Sequence, residues 1–210
     1  MRIHAVTPIH VDATELARRQ ARYDRLAPAG LTVALHDIGP CAPRALNTAQ
    51  DVRDSEGAVL DALRTAPDDV DALLPDCVLD PGVGVPGWDG PPVLGLLRLT
   101  VGWSASQGRQ VGAVARNPAI ADELTARVGH HGFSPWFTGT EVLNLDVEDI
   151  RDHVRWDEAI SAALTRMGRA GVSTVINGCS AVDLADQPGR ARAVDPTAAA
   201  LRLLAAGGLA

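Results

Sequence analysis

No lysine occurs in the 210 residues, so all 19 basic side chains are arginine. A pyridoxal Schiff base, a lysine-dependent aldolase and a phosphate loop of the form G-x-x-x-x-G-K-[ST] each need a lysine amine, and all three are excluded. Basic charge is short overall: 19 arginines face 26 acidic residues, a formal net charge of −7, which speaks against nucleic acid or an anionic membrane as the main partner. A small molecule or another protein is expected instead. Apolar runs are cut by Pro, Gly or a charge before the roughly 18 residues a membrane helix needs, so no membrane partner is expected. Cysteine is sparse and odd in number. Cys41, Cys77 and Cys179 are 36 and 102 residues apart, which suggests neither a disulfide framework nor a C-x-x-C metal site. Reduced thiols, a cytoplasmic location and no metal follow as expectations. The chain opens on a strand-like segment, not on a basic region followed by an apolar export signal.

A hydrophobic content of 46% can fill a core without covalent staples. Short apolar runs alternate with helical patterns. Strands are predicted at Ile3–Val6, Leu31–Leu35, Val70–Cys77, Pro92–Leu97, Val111–Ala115, Glu141–Leu145 and Ser173–Asn177. Helices are predicted over Ala13–Ala27, Ala49–Thr65, a stretch ending near Gln107, Pro118–Val128, Val147–Arg169 and from Asp195-Pro196 onward. Asp12 and Glu15 have capping-box spacing, and Asn117-Pro118 supplies an N-cap and a first-turn proline. The alternation predicts an α/β fold of parallel strands flanked by helices, whose ligands bind beyond the carboxyl ends of the strands. Thr7, Cys77, Arg116 and Cys179 fall at such ends.

The halves of the chain are similar to each other. Residues 2–8 and 110–116 align at an offset of 108, and Cys77 aligns with Cys179 at an offset of 102. Two α/β halves are expected, residues 1–96 completed by a helix from 195–210, and residues 97–194. A pseudo-twofold axis between them would bring one thiol to each side of a bound molecule. That arrangement can remove a proton from one face of a carbon and return one to the other. Free cysteine is also among the most buried residue types, and inert burial is the alternative reading. Residues 180–184 read as a helix start whose amides would lower the Cys179 thiol pKa and bind a carboxylate.

On these residues the sequence resembles the aspartate/glutamate/hydantoin racemase superfamily. The resemblance rests on Met1–Pro8, on Cys77-Val78-Leu79-Asp80-Pro81-Gly82, on Pro92–Gly95, on Gly108–Val114 and on Gly178-Cys179-Ser180. It spans nearly the whole chain, and the Asp-Pro-Gly motif is most similar to the hydantoin racemase branch. It implies a cofactor-independent racemase or epimerase with two pseudo-symmetric halves and the active site between them. Cys77 and Cys179 would be the bases acting at a carbon α to a carboxylate or cyclic amide. Substrate contacts are expected at Thr7, Pro8, Ile9, Val78, Arg116, Asn117, Ser180 and Ala181, with the Ser180 hydroxyl stabilising enolate-like charge. The family's Asn-Pro-Asn is Thr7-Pro8-Ile9 here, the Thr common in relatives after the strand of the second half is replaced by Ala115-Arg116-Asn117, and the Gly after the second cysteine motif is Ala181. Arg116 is read either as a carboxylate anchor in the cleft or as a surface residue. Relatives of the family are often dimers or larger, so a homo-oligomer is an expectation. The same superfamily includes maleate isomerases and arylmalonate decarboxylases, and a binding module without turnover is the third reading.

Other residues carry weaker signals. Cys41 lies in a proline-rich loop outside both motifs. His130-His131 have no ligand partners at metal spacing and read as solvated. His10 and His36 follow strands and are candidates for the cleft edge. Trp88, in the Gly/Pro-rich loop 84–92, is a candidate cover over substrate or a packing residue.

Overall fold

Strands covered on both faces need continuous apolar runs. Val111–Ala115 is buried at every residue, and so is Ala72–Pro75. In the computed structural model, which describes residues 1–185, 189 and 191–207, these runs form two all-parallel sheets. The first has the order β2-β1-β3, from β1 (Arg2–Val6), β2 (Thr32–His36) and β3 (Ala72–Pro75). The second has the order β5-β4-β6-β7, from β4 (Val111–Ala115), β5 (Phe137–Val142), β6 (Thr174–Asn177) and β7 (Arg192–Val194). Around them lie α1 (Ala13–Leu26), α2 (Ala49–Arg64), α3 (Leu96–Ser106), α4 (Pro118–His130), α5 (His153–Arg169) and α6 (Pro196–Gly207). The architecture is the expected α/β one. Residues 208–210 of the expected last helix lie outside the described residues. Among the described residues no helix is long and apolar enough to cross a membrane.

The helix starts follow their side-chain caps. Asp12 accepts from the Glu15 amide at 2.8 Å, Thr48 and Asp51 form a full capping box on α2, and Asn117 accepts from the Ile120 amide at 2.9 Å. Ile3, Ala5 and Leu74 turn one face of the first sheet toward α1 and α6, where they pack with Tyr23, Leu201 and Leu204. Val6 and Leu73 face α2. In the second sheet Val111 and Ala113 pack with Leu97 and Val101 of α3 and Leu124 of α4. Thus α3 covers the sheet that follows it in sequence, while α6 returns to the first sheet. Burying one such leucine contributes about 1.5–3 kcal/mol.

Four sequence expectations are corrected. The strand at Pro92–Leu97 shrinks to a single bridge, Val93 beside Leu73, because the Asp80 carboxylate accepts from the Leu97 and Arg98 amides at 3.0 and 2.7 Å and starts α3. The strand placed at Glu141–Leu145 runs from Phe137 to Val142, as its pairing with β4 begins at Val111–Phe137. The helix Val147–Arg169 is broken: a 3-10 turn spans Glu148–Arg151, and Asp152 caps a new start by accepting from the Arg155 amide at 3.1 Å. No helix opens after Cys179, because α1 draws this segment out as a loop: Arg18 donates to the Ala181 carbonyl and Arg22 to the Val182 carbonyl, both at 3.1 Å. The short strand β7 was not anticipated.

Candidate active site

Each half delivers its cysteine by the same local construction. β3 ends at Pro75 and β6 at Asn177, and in both cases the cysteine stands two residues further on. Each sulfur accepts a hydrogen bond from the amide two residues after it, Leu79 for Cys77 at 3.4 Å and Ala181 for Cys179. Asp80 takes a positive φ of 51° to turn the chain after Cys77. Gly178 lets the second loop lie against β4: its amide donates to the Val114 carbonyl at 2.8 Å, and a Cβ there would stand 2.1 Å from that oxygen.

Both cysteines line one cavity, together with Pro8, Ile9, Val78, Arg116, Ser180 and Ala181. Most expected site residues are therefore brought together. Thr7 and Asn117 are not. Thr7 is fully buried behind the site, where its hydroxyl meets Asp37 and accepts from the Ile38 amide at 3.1 Å. Asn117 is spent on capping α4 and on the Leu46 carbonyl, 2.8 Å from its side-chain nitrogen. The surface reading of Arg116 is also corrected. It is 4% exposed, because loops from both halves bring acceptors to it: the Leu46 carbonyl at 3.0 Å, Asn47 Oδ1 at 2.9 Å and the Leu145 carbonyl at 3.3 Å. The Ser180 hydroxyl donates at 2.9 Å to the Asp76 carbonyl, so its proton ties the two cysteine loops together and is not directed at the cavity.

Burial disfavours a charged sulfur. It pushes the Cys77 thiol up to about 12, with Asp76 and Asp80 adding to the effect and the Leu79 amide opposing it. Cys179 is raised by the same cause, while the Ala181 amide, Arg19 and Arg22 work against it. Arg19 was not anticipated. It lines the cavity from α1 at 5% exposure, pairs with Glu15 at 2.8 Å and Asp76 at 3.3 Å, and Asp76 also accepts from the Tyr23 hydroxyl at 2.8 Å. The i, i+4 spacing of Glu15, Arg19 and Tyr23 was the available signal, since it puts all three on one helix face. Leu46, Val147 and Ile150 add further apolar wall.

The remaining candidates lie elsewhere. Trp88 packs beside Val59 and Leu63 with its indole N–H on the Pro91 carbonyl, and it lines a separate groove. His10 borders a groove adjoining the cavity and meets Asp37 at 2.7 Å, whereas His36 stacks on His4. The solvated reading of His131 is wrong: its side chain is 3% exposed and meets Asp80 at 3.2 Å. Cys41 is exposed. Among the described residues no group of three or more His, Cys, Asp or Glu side chains could hold a metal ion.

A family model described as Asp/Glu/Hydantoin racemase matches residues 11–204. Among curated proteins, none matches the chain. Solved structures share the fold. Allantoin racemase from Klebsiella pneumoniae superposes with a TM-score of 0.79 at 17% identity, covering 100% of this chain and 89% of its own. Allantoin racemase from Pseudomonas fluorescens gives 0.79 at 15% identity, with 100% and 93% covered. The maleate isomerase from Pseudomonas putida S16 gives 0.59 at 12% identity, with 100% and 93% covered.

Proposed function

Because the chain belongs to the Asp/Glu/hydantoin racemase family and is an isomerase, we propose that it inverts a carbon centre α to a carboxylate or cyclic amide without a cofactor, using Cys77 and Cys179 as its two bases. The observation that carries this reading is the pair of equivalently built thiols on one cavity. One sulfur, as thiolate, takes the α-proton. The opposite sulfur, as thiol, returns a proton to the other face, and the roles exchange for the mirror-image substrate. One inversion leaves the protonation of the two sulfurs exchanged, and transfer of one proton from the first sulfur to the second by way of solvent restores the starting form.

The α-proton is weakly acidic, and the enolate-like oxygen formed on its removal needs a positive partner in a site shielded from water. Arg116 fills that role: it lines the cavity and is fixed by carbonyls from both halves. Pro8, Ile9, Val78 and Ala181 form the walls against the substrate's substituent. The active site lies in the cleft between units 1–96 and 97–194, with α6 packed on the first. Reduced thiols suit a cytoplasmic enzyme.

The test is proton NMR in deuterated buffer with amino acids, 5-substituted hydantoins, allantoin and α-substituted dicarboxylates. Loss of an α-proton signal with the wild-type protein, and with neither Cys77→Ser nor Cys179→Ser, is expected for one of these classes. No exchange with any of them, together with two thiols inert to alkylation, would sink the proposal. Turnover that survives Cys77→Ser points instead to single-cysteine chemistry on the same fold.

A further inference from the structure

The two thiols are matched by their backbone and mismatched by their surroundings. α1 and α4 follow the central strands of the two sheets and are capped alike, by Asp12 and Asn117. Counted from the cap, α1 carries Glu15 at the third position and Arg19 at the seventh, while α4 carries Ile120 and Leu124. Arg19 and Ile120 both line the cavity. Leu124 lies in the apolar cluster that holds Cys77. α1 holds the loop after Cys179, through Arg18 on the Ala181 carbonyl and Arg22 on the Val182 carbonyl. A buried ion pair therefore stands on the helix beside that thiol, whereas Cys77 clusters with the hydrocarbon of Ile120 and Leu124 at the equivalent positions of α4.

The charges divide in the same way. Arg19 and Arg22 of α1 favour a negative Cys179, against Asp76 from the first cysteine loop. Arg18 and Arg116 lie within electrostatic reach of the same sulfur. Cys77 sits between Asp76 and Asp80, which with Cys179 disfavour its ionisation, and Asp80 is shared with His131. Arg19 is held in place by Glu15 and Asp76. We propose that Arg19 makes Cys179 the base and Cys77 the acid of the resting enzyme. It acts through Cys179 and is a positioning residue. The inference rests on the two-thiol reading above. It implies that the enantiomer presenting its α-proton to Cys179 meets the resting form, whereas its mirror image must wait until the proton has moved between the sulfurs.

Alkylation by iodoacetamide across a pH series, read cysteine by cysteine by peptide mass spectrometry, tests this without substrate, with the exposed Cys41 as the internal reference. Cys179 is expected to reach half-maximal rate at least about one pH unit below Cys77, a tenfold difference in thiolate at a given pH. Arg19→Gln should narrow that gap, and Arg19→Lys should preserve it. A wild-type Cys77 midpoint at or below that of Cys179 overturns the proposal, as does an unchanged gap in folded Arg19→Gln. If Arg19→Gln does not fold, the wild-type order and Arg19→Lys decide. Should deuterium exchange survive loss of one cysteine, the two-base function fails while the thiol order is still read. A reversed order with both cysteines required removes only the role given to Arg19.

Discussion

Replacing Gly178 by alanine isolates the steric fit that places Cys179. The added Cβ would stand 2.1 Å from the Val114 carbonyl oxygen and 3.2 Å from the Ala115 Cα, both backbone atoms of β4 that no rotamer change can clear. Real Cβ contacts begin near 3.0 Å, so the loop must retreat by about 0.9 Å. Such overpacking costs about 1–3 kcal/mol. The retreat also strains the 2.8 Å bond from the Gly178 amide to Val114, worth about 0.5–1.5 kcal/mol. Together these predict a loss of about 2–4 kcal/mol. In urea, at a slope of about 2 kcal/mol per molar, the unfolding midpoint should fall by about 1–2 M. Because Cys179 is the next residue, a shift approaching 1 Å should also slow proton exchange by about 100-fold. Gly57 provides the control. It lies inside α2 with nothing within 4 Å of a built Cβ, and alanine there should stabilise by about 0.8–1 kcal/mol through helix propensity. Urea curves followed by circular dichroism, with exchange rates measured alongside, give both readouts. A Gly178→Ala protein that unfolds within about 0.3 M of wild type and exchanges at full rate would refute the reasoning.

Further tests address charges around the site. Burial raises the Glu15 carboxyl, but hydrogen bonds and charge from Arg18 and Arg19 more than reverse this and bring it to about 2. A depressed folded-state value means that its stabilisation is complete above the unfolded value near 4.5 and is lost as pH falls toward 2. Glu15→Gln should therefore flatten the fall in urea midpoint over that window relative to wild type, and parallel curves would count against the pairing. Asp80→Ala removes the acceptor of the Leu97 and Arg98 amides and leaves alanine at a φ of 51°, so a loss of about 1–3 kcal/mol is expected. Asp80→Asn tolerates that backbone and should lose less; equal losses in urea titrations would show that the cap is not what holds α3.

Where the chain carries strong local signals, sequence and structure agree. β4 is a continuous apolar run, β1 and β6 carry short apolar stretches bounded by turn residues, and Asp12 and Asn117 announce their helices. The discrepancies arise where a distant group decides. Asp80 turns an apolar run into α3, and arginines of α1 hold residues 181–182 in a loop that local propensity would make helical. β7 is three residues long and is held by its pairing with β6, and in the first half the strand expected at Pro92–Leu97 is reduced to the single bridge beside Leu73. The cysteine pair and its apolar walls followed from motif and strand-end position. Arg116 is named by its strand-end position, with its burial left open; Arg19 is not named, because arginine is normally exposed and its burial here depends on the Asp76 carboxylate from a remote loop.

The return of α6 to the first sheet affects synthesis on the ribosome. Ile3, Val33 and Leu74 emerge early, yet one face of their sheet also needs Leu201 and Leu204. That face waits, partly naked, while more than a hundred further residues are made. The second sheet obtains its α3 cover from residues already translated. The N-terminal sheet therefore keeps part of its apolar face uncovered until α6 has been made.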